Sequence, residues 1–192
     1  MAVDNEKNIV FSNLDSFESY IEVGVYQGKG IVDIANNFPT VKKLIGVDNY
    51  LAYIDEFNNY TNITSNLAAE ASYKVTDAQS QLNKEKAIKL ITKNNLTDRI
   101  ELWDKSSLNA ADVIANSSID AIFLDSYTNR THAYNDVVAW YKKVRLGGVL
   151  CGQEWNPIYT IVPVIQNALD AVNSTDAIKK INNFWYIVKD TE

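Results

Sequence analysis

Between Tyr20 and Gly30 the chain reads YIEVGVYQGKG. The run Tyr20-Ile21-Glu22-Val23 carries a single acid, then breaks at Gly24, Gly28 and Gly30 before apolar spacing resumes at Ile31, Ile34 and Ala35. This pattern predicts a strand over 19–24, a glycine turn, and a helix over 29–37 that Pro39 stops. Glycine serves where backbone must take positive φ or let another atom come close. A helix that opens directly after such a turn also offers unpaired N–H groups and the positive end of its dipole. The stretch therefore reads as a strand-turn-helix unit that seats a nucleotide or cofactor, with a ligand-free glycine turn as the plain alternative.

Spacing separates the kinds of seat. A dinucleotide turn is expected to read G-x-G-x-x-G, with the pyrophosphate on the helix N-terminus. Here the glycines run G-x-x-x-G-x-G behind an acid inside the strand. The E-x-G-x-x-x-G form resembles motif I of the class I S-adenosylmethionine (SAM) dependent methyltransferases, whose ligand carries an amino-acid tail and a sulfonium in place of a pyrophosphate. On this stretch alone, another nucleotide fold and the ligand-free turn remain open.

The rest of the chain supplies the frame. Lys43 to Asp48 is a short apolar strand ending in an acid. In a doubly wound sheet that acid emerges beside strand one, where it can accept both ribose hydroxyls of an adenosine. Residues 49–66 are aromatic and polar without firm periodicity and are expected to cover the pocket as a loop. Residues 67–94 read as one long amphipathic helix, with Leu82, Ala87, Ile88 and Ile91 on its apolar side and lysines opposite. Strand three is Ile100–Trp103, and Ser106 or Ser107 can cap the short helix that follows. Strand four, 119–125, ends in Asp125; a helix runs from there to about Lys143, and strand five is 147–152. A helix over 161–172 admits Pro163 only in its first turn. A hairpin over 177–189 turns at Asn182-Asn183. Strands alternating with helices predict an α/β, Rossmann-like doubly wound sheet of seven strands, mostly parallel, with an antiparallel C-terminal hairpin.

Composition narrows the partners. At 192 residues, 46% hydrophobic and 22% charged, the chain suits one domain over 1–192, with residues 1–18 as an arm or lid. A net charge of −6 argues against nucleic acid, since duplex binding uses Lys and Arg to neutralise phosphates. The start of the chain has acids where an export signal needs a basic flank, and no apolar run reaches the roughly 18 residues of a membrane span. Cys151 is the one cysteine, so no internal disulfide or cysteine-based zinc site can form. A cytoplasmic protein without membrane contact is expected, and a homodimer would complete a pocket that the short N-terminal arm leaves with little cover.

By strand five the resemblance is specific. IELWDKSSLNAA resembles the family segment that lies along the adenine, and IDAIFLDSYTNRTHAYNDVVAWYKKVRLGGVLCGQEW resembles, without a gap, a pattern of the type DxDHxYxxVxxDLxxWYPKLKPGGxLAGHDW. Asp125, Asp136, Trp140, Tyr141, Gly147 and Gly148 hold positions typical of small-molecule and sugar O-methyltransferases of the macrocin-methyltransferase and cephalosporin-hydroxylase-like branch. The resemblance implies that Glu22 and Gly24 lie near the methionine tail, that Gly28 and Gly30 let the backbone approach, that Asp48 holds the ribose, and that Ser106 and Ser107 line the adenine. Tyr26, Asn49 and Asp125 join this cofactor set. The acids at 22, 48 and 125 are expected to face one adenosyl-sized hollow.

For the chemistry, the resemblance points to Asp125 and Glu154, as base or as ligands of a Mg²⁺ ion that would orient the acceptor hydroxyl. The chain departs from the family at Thr128 and Gln153, where histidines are usual. His132, the single histidine, falls in the ungapped match at an ordinary helix position, and Cys151 reads as a buried inert thiol. The expected activity is SAM-dependent methylation of a hydroxyl on a sugar or other small metabolite. The alternatives are a SAM-binding protein without transfer activity and an NAD(P)-dependent oxidoreductase.

Overall fold

The computed structural model describes residues 3–55, 73–126, 129–153 and 161–191. In chain order the elements are α1 (Val3–Phe11), β1 (Ser19–Val23), α2 (Lys29–Asn37), β2 (Lys43–Asp48), β3 (Tyr53–Asp55), β4 (Tyr73–Val75), α3 (Asp77–Lys93), β5 (Ile100–Asp104), α4 (Ser107–Val113), β6 (Ile119–Leu124), α5 (Arg130–Tyr141), β7 (Val144–Gln153), α6 (Val162–Ala171), β8 (Lys179–Ile181) and β9 (Phe184–Val188). One sheet takes seven strands in the order β5-β2-β1-β6-β7-β9-β8. Its first five strands are parallel, and β9 runs antiparallel to both β7 and β8. The doubly wound sheet with an antiparallel close is the one read from the sequence. Strand order reverses about β1, so the carboxyl ends of β2, β1 and β6 share the edge where such sheets bind ligands.

A strand in the middle of such a sheet needs cover on both faces, which is why β1 and β6 are buried throughout. Ile21, Val23, Ile122 and Leu124 pack with Ala110, Val137, the fully buried Trp140 and Ile165 from α4, α5 and α6. Tyr20, Leu44, Phe123 and Cys151 on the other face pack with Phe11, Ile31, Ala87 and Ile91 from α1, α2 and α3. The N-terminal segment is tied into this second core. The rings of Phe11, Phe17, Tyr20 and Phe38 meet at centroid separations of 5.0 to 6.3 Å, and Lys7 and Glu6 of α1 are buried. At the opposite edge from the ligand side, Asp120 accepts from the Ser19 hydroxyl at 2.7 Å, from the Glu18 and Ser19 N–H groups and from the Arg145 guanidinium. This clamp ties the starts of β1, β6 and β7 together.

Three expectations are corrected. Residues 49–66 do not form only a loop, because Tyr53–Asp55 pairs antiparallel with Tyr73–Val75. The helix read over 67–94 therefore starts at Asp77, where the Thr76 side chain accepts from the Gln79 N–H at 3.3 Å and caps it. Its buried stripe is also different: Ser80, Asn83, Ala87 and Ile91 face inward, while Leu82 and Ile88 are 45% and 48% exposed. The reason is close packing, since a Cβ on Gly28 would stand 3.0 Å from the Ala87 Cα, and only a small residue at 87 lets α2 and α3 approach. Finally, β7 starts at Val144, before the expected 147. The register slips between Ile119 and Ala121, and Gly147, at φ +71°, sits in the irregular stretch that absorbs the slip. No helix among the described residues is long and apolar enough to cross a membrane.

Candidate active site

At the carboxyl edge lies a cavity of about 760 Å³. The β1 turn contributes Gly24 and Tyr26, and β2 and the chain after it contribute Asp48, Asn49, Tyr50 and Tyr53. Ser80 and Asn83 come from α3, Ser106 and Ser107 from the β5–α4 junction, and Asp125, Ser126, His132 and Asp136 from the end of β6 and from α5.

Two contacts hold this wall in shape. Gly24 has φ +93°, and a Cβ there would stand 2.6 Å from the carbonyl carbon and oxygen of Asp125. Glycine is required on both counts, and it keeps the β1 turn in backbone contact with the end of β6. Asp48 does the same on the other side. Its Oδ2 accepts from the Val25 and Tyr26 N–H groups at 3.1 and 3.0 Å, and its Oδ1 accepts from the Tyr50 N–H at 2.9 Å. Burial pushes the Asp48 carboxyl up, and these three donors oppose that push. A carboxylate has about four acceptor positions, so Asp48 secures the turn and still has capacity left toward the cavity.

Of the three acids expected to share a hollow, Asp48 and Asp125 line it and Glu22 lies elsewhere. The Glu22 side chain accepts from the Tyr20 hydroxyl at 2.8 Å and lies 3.5 Å from the Lys7 amine. It packs against Gly30, where a Cβ would stand 2.6 Å from a carboxylate oxygen. Glu22 thus sits under the first turn of α2, where the helix dipole favours negative charge. Gly28 and Gly30 make room for Ala87 and for Glu22 respectively, behind the turn that contributes Gly24 and Tyr26 to the wall. Tyr26, Asn49, Ser106 and Ser107 all line the cavity.

Several lining residues lie outside the set that the sequence assigned to the cavity. Asp136 is buried at 4% exposure, and its two oxygens accept from the Ser107 hydroxyl at 2.5 Å and the Ser126 hydroxyl at 2.7 Å. The Trp140 indole N–H donates to the same Ser107 oxygen at 2.8 Å. Burial pushes the Asp136 carboxyl up, against the two hydroxyls that lower it. Asp136 and Trp140 fall one turn apart on α5, which in hindsight marks a polar pair on an inward face. Asn83, 2% exposed, accepts from the Gln27 side chain at 3.1 Å; in the sequence it is hidden among lysines. Tyr50 is buried, and its hydroxyl finds no hydrogen-bond partner among the described residues. His132 reaches the wall although its register marked it as ordinary. Cys151 is buried between sheet and helices, with its thiol donating to the Ile122 carbonyl at 3.4 Å and pushed up by burial.

Glu154, Tyr127 and Thr128 lie outside the described residues. Among the described residues no group of three or more His, Cys, Asp or Glu side chains gathers to hold a metal ion. Asp136, the carboxylate that shares the wall with Asp125, is already engaged by two hydroxyls. The described donors do not make the oxygen cage a Mg²⁺ ion needs.

In sequence, the family described as "Methyltransferase domain" matches residues 21–155, a span from β1 to just past β7 that contains the cavity wall from Gly24 to Asp136. No curated protein matches the chain. Among solved structures, a Corynebacterium glutamicum protein superposes with a TM-score of 0.66 at 12% identity, covering 100% of this chain and 82% of that one. A Clostridium thermocellum protein described as an rRNA methylase gives 0.66 at 11% identity, over 98% and 96% of the two chains. An O-methyltransferase family protein of Burkholderia thailandensis gives 0.60 at 13% identity, over 99% of this chain and 57% of that one. Identities this low speak for the fold alone. The family match, which covers more than half of the chain and includes its E-x-G-x-x-x-G turn, goes further: the chain belongs to the class I SAM-dependent methyltransferases.

Proposed function

We propose that this methyltransferase acts on a hydroxyl of a sugar or other small polar metabolite, with Asp125 taking the proton and Asp48 holding the ribose of SAM. One observation carries the reading: Asp48 and Asp125, from the ends of two different strands, stand in the wall of a single cavity with Ser106 and Ser107. Its volume of about 760 Å³ is ordinary for a small-molecule site. The donor set suits an adenosyl group. Asp48 keeps an acceptor position for a ribose hydroxyl, Val23, Val47 and Leu108 supply apolar wall, and the buried Tyr50 hydroxyl, without a hydrogen-bond partner among the described residues, suits a polar group of the ligand.

Bound SAM supplies a methyl carbon already activated by its sulfonium. The chain's task is then mostly to position the reactants. Gly24 and the Asp125 backbone, in contact, fix the floor on which the two ligands must meet. Asp125, in the wall of the same cavity, is the carboxylate that would receive the acceptor's proton as it leaves. Tyr26, Asn135 and His132 line the same space and suit a hydroxyl-rich acceptor through hydrogen bonds. The net charge of −6 favours such an acceptor over RNA.

Calorimetry with SAM, S-adenosylhomocysteine and NAD, followed by release of S-adenosylhomocysteine in the presence of a panel of sugars, tests this. Heat with the first two ligands and turnover with a sugar are expected. Heat with NAD alone overturns the assignment, and SAM binding without turnover on any hydroxylated acceptor moves the chain to the non-transferring class.

A further inference from the structure

We infer that Asp136 sets the hydrogen-bonding polarity of Ser107, so that the cavity takes a cofactor bearing the 6-amino group of adenine and discriminates against its 6-oxo counterpart. The inference rests on the SAM-binding reading above. A serine hydroxyl has one proton to give and two lone pairs to offer. At Ser107 the proton goes to Asp136 Oδ1 at 2.5 Å, and one lone pair is taken by the Trp140 indole N–H at 2.8 Å. An ionised carboxylate can only accept and an indole N–H can only donate, so with Asp136 ionised these directions are forced. One lone pair remains on Ser107, in the cavity wall.

The arrangement is held from behind. The second oxygen of Asp136 accepts from Ser126 at 2.7 Å, which prevents the carboxylate from turning away. Asp136 is buried and Trp140 fully so, so both partners of the hydroxyl are held by packing. Ser106, the neighbouring residue, has the opposite polarity. Its oxygen accepts from the Asn109 N–H at 3.4 Å, as an N-cap does, and its proton is left to give.

An acceptor beside a donor is complementary to adenine, which presents the N6 amino group next to a ring-nitrogen acceptor. A 6-oxo purine turns the amino donor into a carbonyl acceptor and sets it against the remaining lone pair of Ser107. A site built on directed hydrogen bonds rejects such an analogue because its own polar groups are left unpaired. Asp136 is in this sense a positioning residue, acting through Ser107.

The test is calorimetric titration of S-adenosylhomocysteine and S-inosylhomocysteine into the wild type, Ser107→Ala, Asp136→Asn and Asp136→Ala, with thermal melts as a check on folding. The readout is the ratio of the two affinities, which a general loosening of the site would leave unchanged. The wild type is expected to prefer the adenosyl ligand by at least about tenfold. That preference should collapse in Ser107→Ala and in at least one Asp136 variant, where the hydroxyl proton is released to the cavity. Equal affinities in the wild type, or a wild-type ratio in Ser107→Ala, overturn the inference. So does a ratio lost in Ser107→Ala but kept in both Asp136 variants. If the wild type binds neither ligand, the SAM-binding reading itself fails, which is a different outcome. Should the Asp136 variants not fold, Ser107→Ala still decides whether the polarity of residue 107 is read.

Discussion

Replacing Lys7 with methionine probes how α1 supports the glycine turn. The Lys7 amine lies 3.5 Å from Glu22 Oε2, with side-chain exposures of 5% and 3%, and 3.5 Å from the centroid of the Phe123 ring. Methionine keeps most of the apolar stem, so the change removes a charge with little loss of volume. Glu22 would keep the Tyr20 hydroxyl at 2.8 Å as a neutral partner, a poor exchange for a cation in a buried site. Removing one member of a buried ion pair costs about 3–5 kcal/mol, because the other charge stays desolvated. For a chain of this length that is a fall in melting temperature of roughly 6–20 °C. Urea denaturation and calorimetry read it, and the double variant Lys7→Met/Glu22→Gln, which removes both charges, should recover a large part of the loss. A single variant within about 1 kcal/mol of the wild type, or a double variant no better than the single, would refute the idea that Glu22 depends on Lys7.

Two further outcomes are expected. Asp48→Ala should weaken SAM binding by about 1–3 kcal/mol, and Asp48→Asn, which retains one acceptor oxygen for the turn, should lose less; an unchanged dissociation constant for the alanine variant removes Asp48 from the site. Asp120 bears on acid stability. Burial pushes its carboxyl up, but the Ser19 hydroxyl, the Arg145 guanidinium and the Glu18 and Ser19 N–H groups outweigh that and hold it below its ordinary value. The stabilisation is full above the unfolded carboxylate value of about 3.9 and is lost as pH falls through the lower folded value, so stability rises with pH across that window. Asp120→Asn should flatten this limb in denaturation series between about pH 2 and 5, and a wild-type slope in the variant would count against the clamp.

How much was legible differs by element. The strands and the helices packed on them could be read because each carries its own period: β2 matches residue for residue, as does α2. The segment after Asp48 could not. Its short strands pair across a long stretch of sequence, Tyr53–Asp55 with Tyr73–Val75, and neither strand is long enough to show alternation. In α3 the apolar residues misled, since Leu82 and Ile88 face outward while Ser80 and Asn83 face the cavity. A stripe that must pass close to a glycine turn and line a polar site is built from small and polar residues, which hydrophobic periodicity does not detect.

Local spacing alone determined that a strand, a glycine turn and a helix would stand at the carboxyl edge of a parallel sheet, with acids at the ends of two other strands. That information is contained in a few consecutive residues, because backbone conformation and strand burial depend on neighbours in the chain. Only the folded chain decided that Glu22 turns inward to Lys7, away from the cavity that Asp48 and Asp125 line, and that Asp136 binds two serines far apart in sequence. Which oxygen meets which donor is set by how helices seat on the two faces of the sheet, and no local pattern records it.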